Sequence, residues 1–403
     1  MLRPVSRILS PGTGGISLIW KGLVIMNNLS CRKETVLTAE EKSVFDGHLE
    51  RLGLSENLWD LFGEWVARST PAASFFYLKV FREGKLMGLG MFVKVKPVDL
   101  RTSYVGLRRN AFLHAIAGLF SSLSNNCLYV SFRNLITSNL ARPFFYREQA
   151  EAEDVMKAIL SYLKKVKEAD MVTVIDTLDH DELYRKEKFA AYPCSSEAFL
   201  DAERYGDISD YLAEHRSLRR NLAKKKRPSA EVWRGPVSEE DRRQMKACVD
   251  CSVVTSPVNN PCQKFFEDNI FGTEVYHSDK YVHIAVRVDG VIAGFHTFQV
   301  SGADLGGVLG GFNRDYSRGH FSYERVIIAS LDYAIKNKCK RVHYSLIDNQ
   351  TKLRLVKSVE PCALYFYSSN AMNRKVFEKT YRFNDVYNLS LLEKQGSNKE
   401  EKV

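Results

Sequence analysis

The sequence predicts an α/β chain with two mixed-sheet lobes in tandem, joined by a basic helix. Three observations carry that expectation. Residues 281–346 run strand, turn, strand, strand, helix, strand. In them Val282, Ile284, Val286 and Val288 alternate up to an Asp289-Gly290 hairpin signal, and Val326, Ile327, Leu331 and Ala334 recur at helical spacing before a strand at 342–346. The same hairpin is written earlier, over 75–95 around Glu83-Gly84. Placing Gly84 on Gly290, a displacement of 206 residues, also sets Val80 on Val286, Leu86 on Ile292, Gly88 on Gly294 and Phe92 on Phe298. Finally, the order of elements repeats: a helix over 150–168 (Val155, Ile159, Tyr162, Leu163, Val166) leads to a strand at 171–176, as a helix over 321–337 leads to 342–346.

Taken in order, residues 1–37 are expected to be a disordered, targeting or over-called start. The first 33 hold no Asp or Glu and carry Arg3, Arg7, Lys21, Arg32 and Lys33, a transit-like composition; Met26 as the true initiator is the preferred reading. The N-terminal lobe spans 38–206. It opens on a capping box, Thr38 with Glu41, and two helices (Val44, Leu49, Leu52, then Leu58, Leu61, Phe62, Trp65) broken at 53–57. A single connecting helix is predicted over 207–227. Asp207 caps it, Pro228 stops it, and Tyr211, Leu212, His215, Leu218 and Leu222 share one stripe. The opposite face carries Arg216, Arg219, Arg220, Lys224, Lys225 and Lys226, which reads as a solvated face or as a contact for an anionic substrate. In the C-terminal lobe, 228–392, residues 312–320 read as a polar turn and 347–361 as a loop holding Asp348, Lys352, Arg354 and Lys357. A strand at 363–368, a helix at 372–381 and a strand at 386–392 follow, and 393–403 is a charged tail expected to be disordered.

A net charge of +10 favours an anionic partner: a phosphorylated co-substrate, a nucleic acid or an acidic membrane surface. No apolar run reaches the roughly 18 residues of a spanning helix. The eight cysteines are scattered, which points to reduced thiols and a cytoplasmic protein. Cys248-Val-Asp-Cys251 with Cys262 would need a fourth ligand such as His277 or His283 to hold zinc. No second CxxC or HxxxH accompanies it, so the cysteines read as core residues and no metal is expected.

The doubled unit, the wording YLAEHRSLRRNLAKKKR and the later SYERVIIASLDYAIKNKCKRVHYSL together resemble the tandem-GNAT acyltransferases, which include FemAB-like aminoacyltransferases and BioF2-like acetyltransferase domains, over roughly residues 40–392. The resemblance implies transfer of an acyl group to an amine by direct attack, with acyl-CoA as a co-substrate and no permanently bound cofactor. The acceptor it implies is a small-molecule, lipid or cell-wall-precursor amine, with peripheral membrane contact allowed. The alternative donor is aminoacyl-tRNA, as in Fem-type members. Around the donor phosphates it places Phe312, Asn313, Arg314, Ser317, Arg318 and Gly319, although Ser317 stands where the first Gly of the usual phosphate turn belongs. Arg216, Arg219 and Arg220 match the family's Arg-rich helix, and Lys352 or Lys357 its Lys-containing loop, as substrate contacts.

Backbone N–H groups of splayed strands after 305–312 would stabilise an oxyanion, and Glu324, His296 and Asp348, in that order, are candidates for the base, with Tyr323 as a proton relay. Each has a plainer reading: Glu324 complements a helix dipole, His296 is a core histidine, Asp348 belongs to a turn and Tyr323 packs. Two other classes stay open, a nucleic-acid-binding module and a non-catalytic GNAT-fold binding protein.

Overall fold

The structure is a computed structural model of the 403-residue chain, and it describes residues 18–20, 23–26, 28–52, 54, 56–96, 127–134, 142–166, 168–194, 197–223, 229–253, 266, 269–346, 350–356, 358–375 and 377–378. In the N-terminal half, β1 (Leu18–Trp20), β2 (Leu23–Met26) and β3 (Leu29–Glu34) lead to α1 (Ala39–Ser43), α2 (Asp46–Arg51) and α3 (Asn57–Ala67), then to the hairpin β4 (Ala73–Arg82) and β5 (Lys85–Val95). Three helices stand where two were expected, because Phe45, fully buried, starts a separate turn after α1. The predicted capping box is present, with Glu41 N donating to Thr38 Oγ1 and Thr38 N to Glu41 Oε2. Next come β6 (Leu128–Ser131), β7 (Phe144–Tyr146), α4 (Ala152–Lys165), β8 (Met171–Thr177), α5 (Asp181–Lys186), β9 (Ala190–Pro193) and β10 (Glu197–Asp201).

The C-terminal half holds α6 (Ile208–Glu214), α7 (Arg216–Ala223), β11 (Ala230–Arg234), α8 (Glu239–Val253), β12 (Tyr281–Val288), β13 (Val291–Ser301) and β14 (Asp304–Phe312). It continues with α9 (Arg314–His320), α10 (Ser322–Lys336), β15 (Arg341–Leu346), α11 (Gln350–Leu355), β16 (Ser358–Glu360) and β17 (Cys362–Ser368).

The two hairpins are the same object. Glu83 and Gly84 turn at φ 50° and 80°, Asp289 and Gly290 at 51° and 81°, the paired positive values of a type I′ turn. Each hairpin carries a bulge at the same place. The register steps from Val80↔Gly88 to Phe81↔Leu86 in one and from Val286↔Gly294 to Arg287↔Ile292 in the other, so the displacement of 206 residues read from the sequence holds through the bulge.

The sheets share an order too. From its edge one runs β3-β4-β5-β6-β8-β17-β9 and the other β11-β12-β13-β14-β15-β10-β16, with β7 also on β5 and with β1 and β2 extending the first. The sixth position of each sheet is filled by a strand from the other half of the chain. β10 lies antiparallel between β15 and β16, and β17 antiparallel between β8 and β9. The lobes are thus tied by exchange as well as by packing. One core cluster runs through both halves, from Trp59, Phe62 and Trp65 of α3 to Val249 of α8 and Ile292 and Phe295 of β13. Two further clusters lie under α4 in the first sheet and under α10 in the second.

Four predicted elements are corrected. Residues 29–34, expected to belong to a disordered, targeting or over-called start, form β3 on β4, with Leu29 and Cys31 buried in the cluster under α4. The connecting helix is not single: it breaks at His215 (φ −111°, ψ 57°), and residues 224–228 lie outside the described ones. α6 and α7 pack on the C-terminal lobe, where Tyr211 Oη donates to Leu355 O and Leu218 joins the cluster under α10. The stretch 312–320 is a helix, α9, because Asn313 Oδ1 caps it by accepting from Asp315 N. Residues 347–361 are not all loop, since α11 and β16 form within them. The predicted helix at 372–381 is seen at 371–375 and 377–378, and the predicted strand at 386–392 and the tail lie outside the described residues. Among the described residues no helix is long and apolar enough to cross a membrane.

Packing of α4 on β5 depends on Gly88. A Cβ there would lie 2.3 Å from Val155 Cγ1 and 2.7 Å from Phe145 O, and the latter is backbone that cannot swing aside. Gly88→Ala is expected to destabilise the protein by about 1–3 kcal/mol, the usual cost of overpacking, seen as a lower urea midpoint at unchanged slope.

Candidate functional site

The candidate site is a gap in the second sheet. Parallel strands β14 and β15 pair at three rungs, Asp304↔Arg341, Leu305↔Val342 and Gly306↔His343, and then part. β14 stays on β13 as far as Gly294↔Phe312. A bulge between Thr297↔Leu309 and Phe298↔Gly307 leaves Val308 without a register partner on β13, and the parting of the strands leaves it without one on β15. Across the gap Lys352 reaches from α11, buried, and donates through Nζ to Tyr344 O at 3.0 Å.

His296 lines the gap on the α10 side. Its ring stacks on Phe298 with centroids 4.3 Å apart. A Cβ on Gly307 would stand 2.9 Å from His296 Nε2 and 2.8 Å from His343 O, so the absence of a side chain is what lets ring and β15 approach. Burial, then the charge of Lys352, pull His296 down to about 3. The imidazole is therefore neutral near pH 7 and a poor proton acceptor, although it can hydrogen-bond.

At the outer end of the gap stands the start of α10. Phe321 lies in the left-handed region (φ 51°, ψ 41°), where a bulky residue is strained, and it turns the chain from α9 into α10. α10 begins without a side-chain cap, and the buried Ser322 Oγ has no hydrogen-bond partner among the described residues. An uncapped helix start is suited to an anion. Glu324, in the first turn, makes no hydrogen bond or ion pair among the described residues. Tyr323 packs on Phe312, centroids 4.8 Å apart. Asn313 is occupied in capping α9, which corrects its reading as part of an open phosphate turn, and Gly319 is exposed within α9. The backbone of Arg314, Ser317 and Arg318 is helical, and their side chains lie outside the described residues, as do Asp348 and Lys357.

The corresponding place in the N-terminal lobe is built differently. β6 and β8 also share three rungs, Leu128↔Met171, Tyr129↔Val172 and Val130↔Thr173, but the strand on β5 is interrupted between β6 and β7. The first turn of α4 carries Glu153 and Asp154, and Arg82 bridges Glu151 and Asp154. The first turn of α4 thus holds two carboxylates where that of α10 holds one, Glu324, and carboxylates at a helix start oppose an anion.

Sequence reasoning missed a second feature, a buried charge network where the exchanged strands meet. Arg133, wholly buried, donates through Nη2 to Glu197 Oε2 at 2.8 Å and to Glu360 Oε2 at 3.2 Å, with Asp176 Oδ1 3.8 Å from Nη1. Glu197, equally buried, accepts from His343 Nδ1 at 2.8 Å, and His343 Nε2 lies 3.2 Å from Asp304 Oδ2. Beyond it Asp176 Oδ2 meets His180 Nδ1 at 3.2 Å and the Tyr184 hydroxyl at 3.1 Å. Burial alone would lower His343, but hydrogen bonds to Asp304 and Glu197 outweigh it and push it up to about 9. Burial would raise Glu197, and the His343 hydrogen bond with the Arg133 charge holds it below the usual carboxylate range. The signal available in the sequence was a charge within an apolar run: Arg133 after LYVSF, Glu197 before AFL, His343 within RVHYSL.

The gap thus brings together His296, Lys352, Phe312, Tyr323 and the start of α10. It does not include Arg216, Arg219 and Arg220, which are exposed on α7. No group of three or more His, Cys, Asp or Glu is placed to hold a metal among the described residues. Cys248 Sγ donates to Ile292 O within the core, and Cys262 lies outside the described residues.

The stability of this network depends on pH. His343 is raised from 6.5, so its contribution is fully present below pH 6.5 and is lost as pH rises through about 9. Thermal melts from pH 6 to 10 are expected to show a falling midpoint over that window, flattened in His343→Gln. Glu197→Ala, which takes from Arg133 its nearest carboxylate and from His343 one of its two, is expected to cost about 3–5 kcal/mol by chemical denaturation.

No family model matches the chain, and no curated protein does. Solved structures do. FemX superposes with a TM-score of 0.52 at 8% identity, over 87% of this chain and 100% of that one. The tandem GNAT protein from the clavulanic acid biosynthesis pathway, solved without AcCoA, gives 0.50 at 12%, over 84% and 99%. L-PGS from Bacillus licheniformis gives 0.49 at 11%, over 85% and 96%. Identities this low speak for fold alone, and the repeated hairpins and sheet order agree with it: the chain has two GNAT-like lobes in tandem, the fold of the tandem GNAT proteins and FemX.

Proposed function

We propose that the protein is an N-acyltransferase that moves an acyl group from acyl-CoA to an amine by direct attack, using the gap of the C-terminal lobe. The observation that carries this reading is Val308, alone in both ladders beside a track of glycines, at the point where β14 and β15 part. A thin, extended acyl carrier fits between two such strands. Its phosphates would lie at the uncapped start of α10, toward Arg314 and Arg318 of α9. The name of the clavulanic acid pathway protein, which mentions AcCoA, is consistent with this donor.

In this reading the backbone at Val308 turns a polar group toward the carbonyl carbon under attack, where negative charge develops on oxygen. Neutral His296, against Gly307, orients the thioester without competing for the proton of the amine. The acceptor amine attacks in its neutral form, a carbon–nitrogen bond forms, the carbon–sulfur bond breaks, and the amine proton passes to water in the gap while the thiolate leaves. Lys352, held on Tyr344 O, keeps β15 from closing on β14.

Intact protein is to be titrated with acetyl-CoA by calorimetry and assayed for thiol release with an amine panel. Saturable binding is expected, weakened at least tenfold in Arg318→Ala at an unchanged melting temperature. Absence of acetyl-CoA binding, with charged tRNA recovered by mass spectrometry of the purified protein, would replace this donor with aminoacyl-tRNA. Neither binding nor turnover would leave a non-catalytic GNAT fold.

A further inference from the structure

Beside the last rungs of the gap lies a cavity of about 240 Å³ between the lobes. It is smaller than the roughly 300–1,000 Å³ of drug-sized ligand sites, so its occupant is small. Arg142 comes from the N-terminal lobe, and Arg341 and His343 from β15. Asp304 and Glu360 are the carboxylates of its lining, and Phe199 of the exchanged strand β10 and Leu52 give it apolar wall.

The cations of the lining are incompletely used. Arg142 donates to Glu360 Oε1 at 3.3 Å, while its Nε is buried without a hydrogen-bond partner among the described residues. Arg341 donates through Nε to Asp201 Oδ1 at 3.1 Å, and its guanidinium lies over the Phe199 ring at 4.9 Å. Its terminal amino groups make no hydrogen bond among the described residues, and the side chain is 51% exposed. The carboxylates are engaged: Glu360 takes Arg133 and Arg142, and Asp304 takes His343. What the lining leaves open is therefore N–H donors, Arg142 Nε and the terminal amino groups of Arg341.

From this we infer that the cavity binds a small amino-carboxylate, its carboxylate taken by the outward edges of Arg142 and Arg341 and its amine turned toward the gap. Guanidinium pairs recognise a carboxylate by paired N–H donation, which a lone ammonium cannot do. The position supplies the rest. His343 and Gly306 make the last rung before β14 and β15 part, so a molecule against His343 has its far end at the closed end of the gap. That it is the acyl acceptor rests on the acyl-transfer reading; that it binds here does not.

The test is calorimetry and thermal shift on the intact protein, without any acyl donor, using the standard α-amino acids, each beside its decarboxylated amine, and inorganic phosphate. The expected result is saturable binding of at least one amino acid, with its decarboxylated amine at least tenfold weaker. Arg341→Ala is expected to weaken it at least tenfold at an unchanged melting temperature, and Arg341→Lys to recover only part of the loss. Arg142→Ala adds a second loss if it folds, and Arg341 alone decides if it does not. No binding by any amino acid, equal binding of the decarboxylated amine, binding of phosphate alone, or indifference to Arg341→Ala would each overturn the inference. Acetyl-CoA titrated separately distinguishes the two failures: amino-acid binding without acetyl-CoA binding removes the donor reading and leaves the cavity's ligand, and the reverse removes the cavity's ligand alone.

Discussion

A single guanidinium holds the two halves of this chain in each other's sheets. Arg133 meets carboxylates from three separate places: Asp176 on β8, Glu197 on β10 and Glu360 on β16. Taking such charges from water costs several kcal/mol per ion, recovered only where partners are close and hydrogen-bonded. The network therefore adds less to net stability than to the choice of one arrangement. Had β10 docked in its own half's sheet, Glu197 would be buried without His343 of β15. Apolar packing alone distinguishes the two dockings poorly, because Ala198 and Leu200 would suit either sheet.

Duplication followed by divergence explains why the lobes share a hairpin and differ at their gaps. The hairpin is local chemistry, a turn with positive φ at two residues and a bulge two residues from it, and both copies keep it. Divergence falls on the third strand and on the helix after it. In the N-terminal copy the strand is cut between β6 and β7, Arg133 enters the space, and the next helix begins with acidic residues. That copy gives up an anion-binding helix start and supplies Arg133 and Arg142 to the junction. The C-terminal copy keeps a continuous β14, an uncapped α10 and a gap beside which Lys352 donates to Tyr344 O.

What the sequence disclosed follows the same division between local and long-range forces. Alternation in 282–288, the Asp289-Gly290 turn and the helical spacing from Val326 to Ala334 depend on neighbours, and they were legible, as was the repeat. Strand exchange was not. A short run such as 197–201 reads the same whichever sheet receives it, and its partner is chosen by charges 64 and 146 residues away. The stretch 312–320 misled because Asn, Asp, Ser and Gly are turn formers, yet an Asn that caps and a Phe forced into the left-handed region make it a helix with an abrupt end. His296 was legible as a packed ring; that Lys352 would depress it further was not, since nothing in the spacing of 56 residues between them announces a contact.

One rung joins these features. Gly306↔His343 is the last pairing before the strands part, and His343 is also the residue that Glu197 and Asp304 grip from two sides. The closed end of the gap is thus fixed by a carboxylate on a strand lent by the other lobe. A reacting centre needs its groups held within about half an ångström by partners that are themselves held. A hydrogen-bonded cation between two buried carboxylates meets that demand better than apolar packing, which tolerates sliding along the strand. Exchange and charge burial therefore serve one end: they convert the contact between lobes from a surface that can shift into a fixed coordinate, and the gap and the cavity are both measured from it.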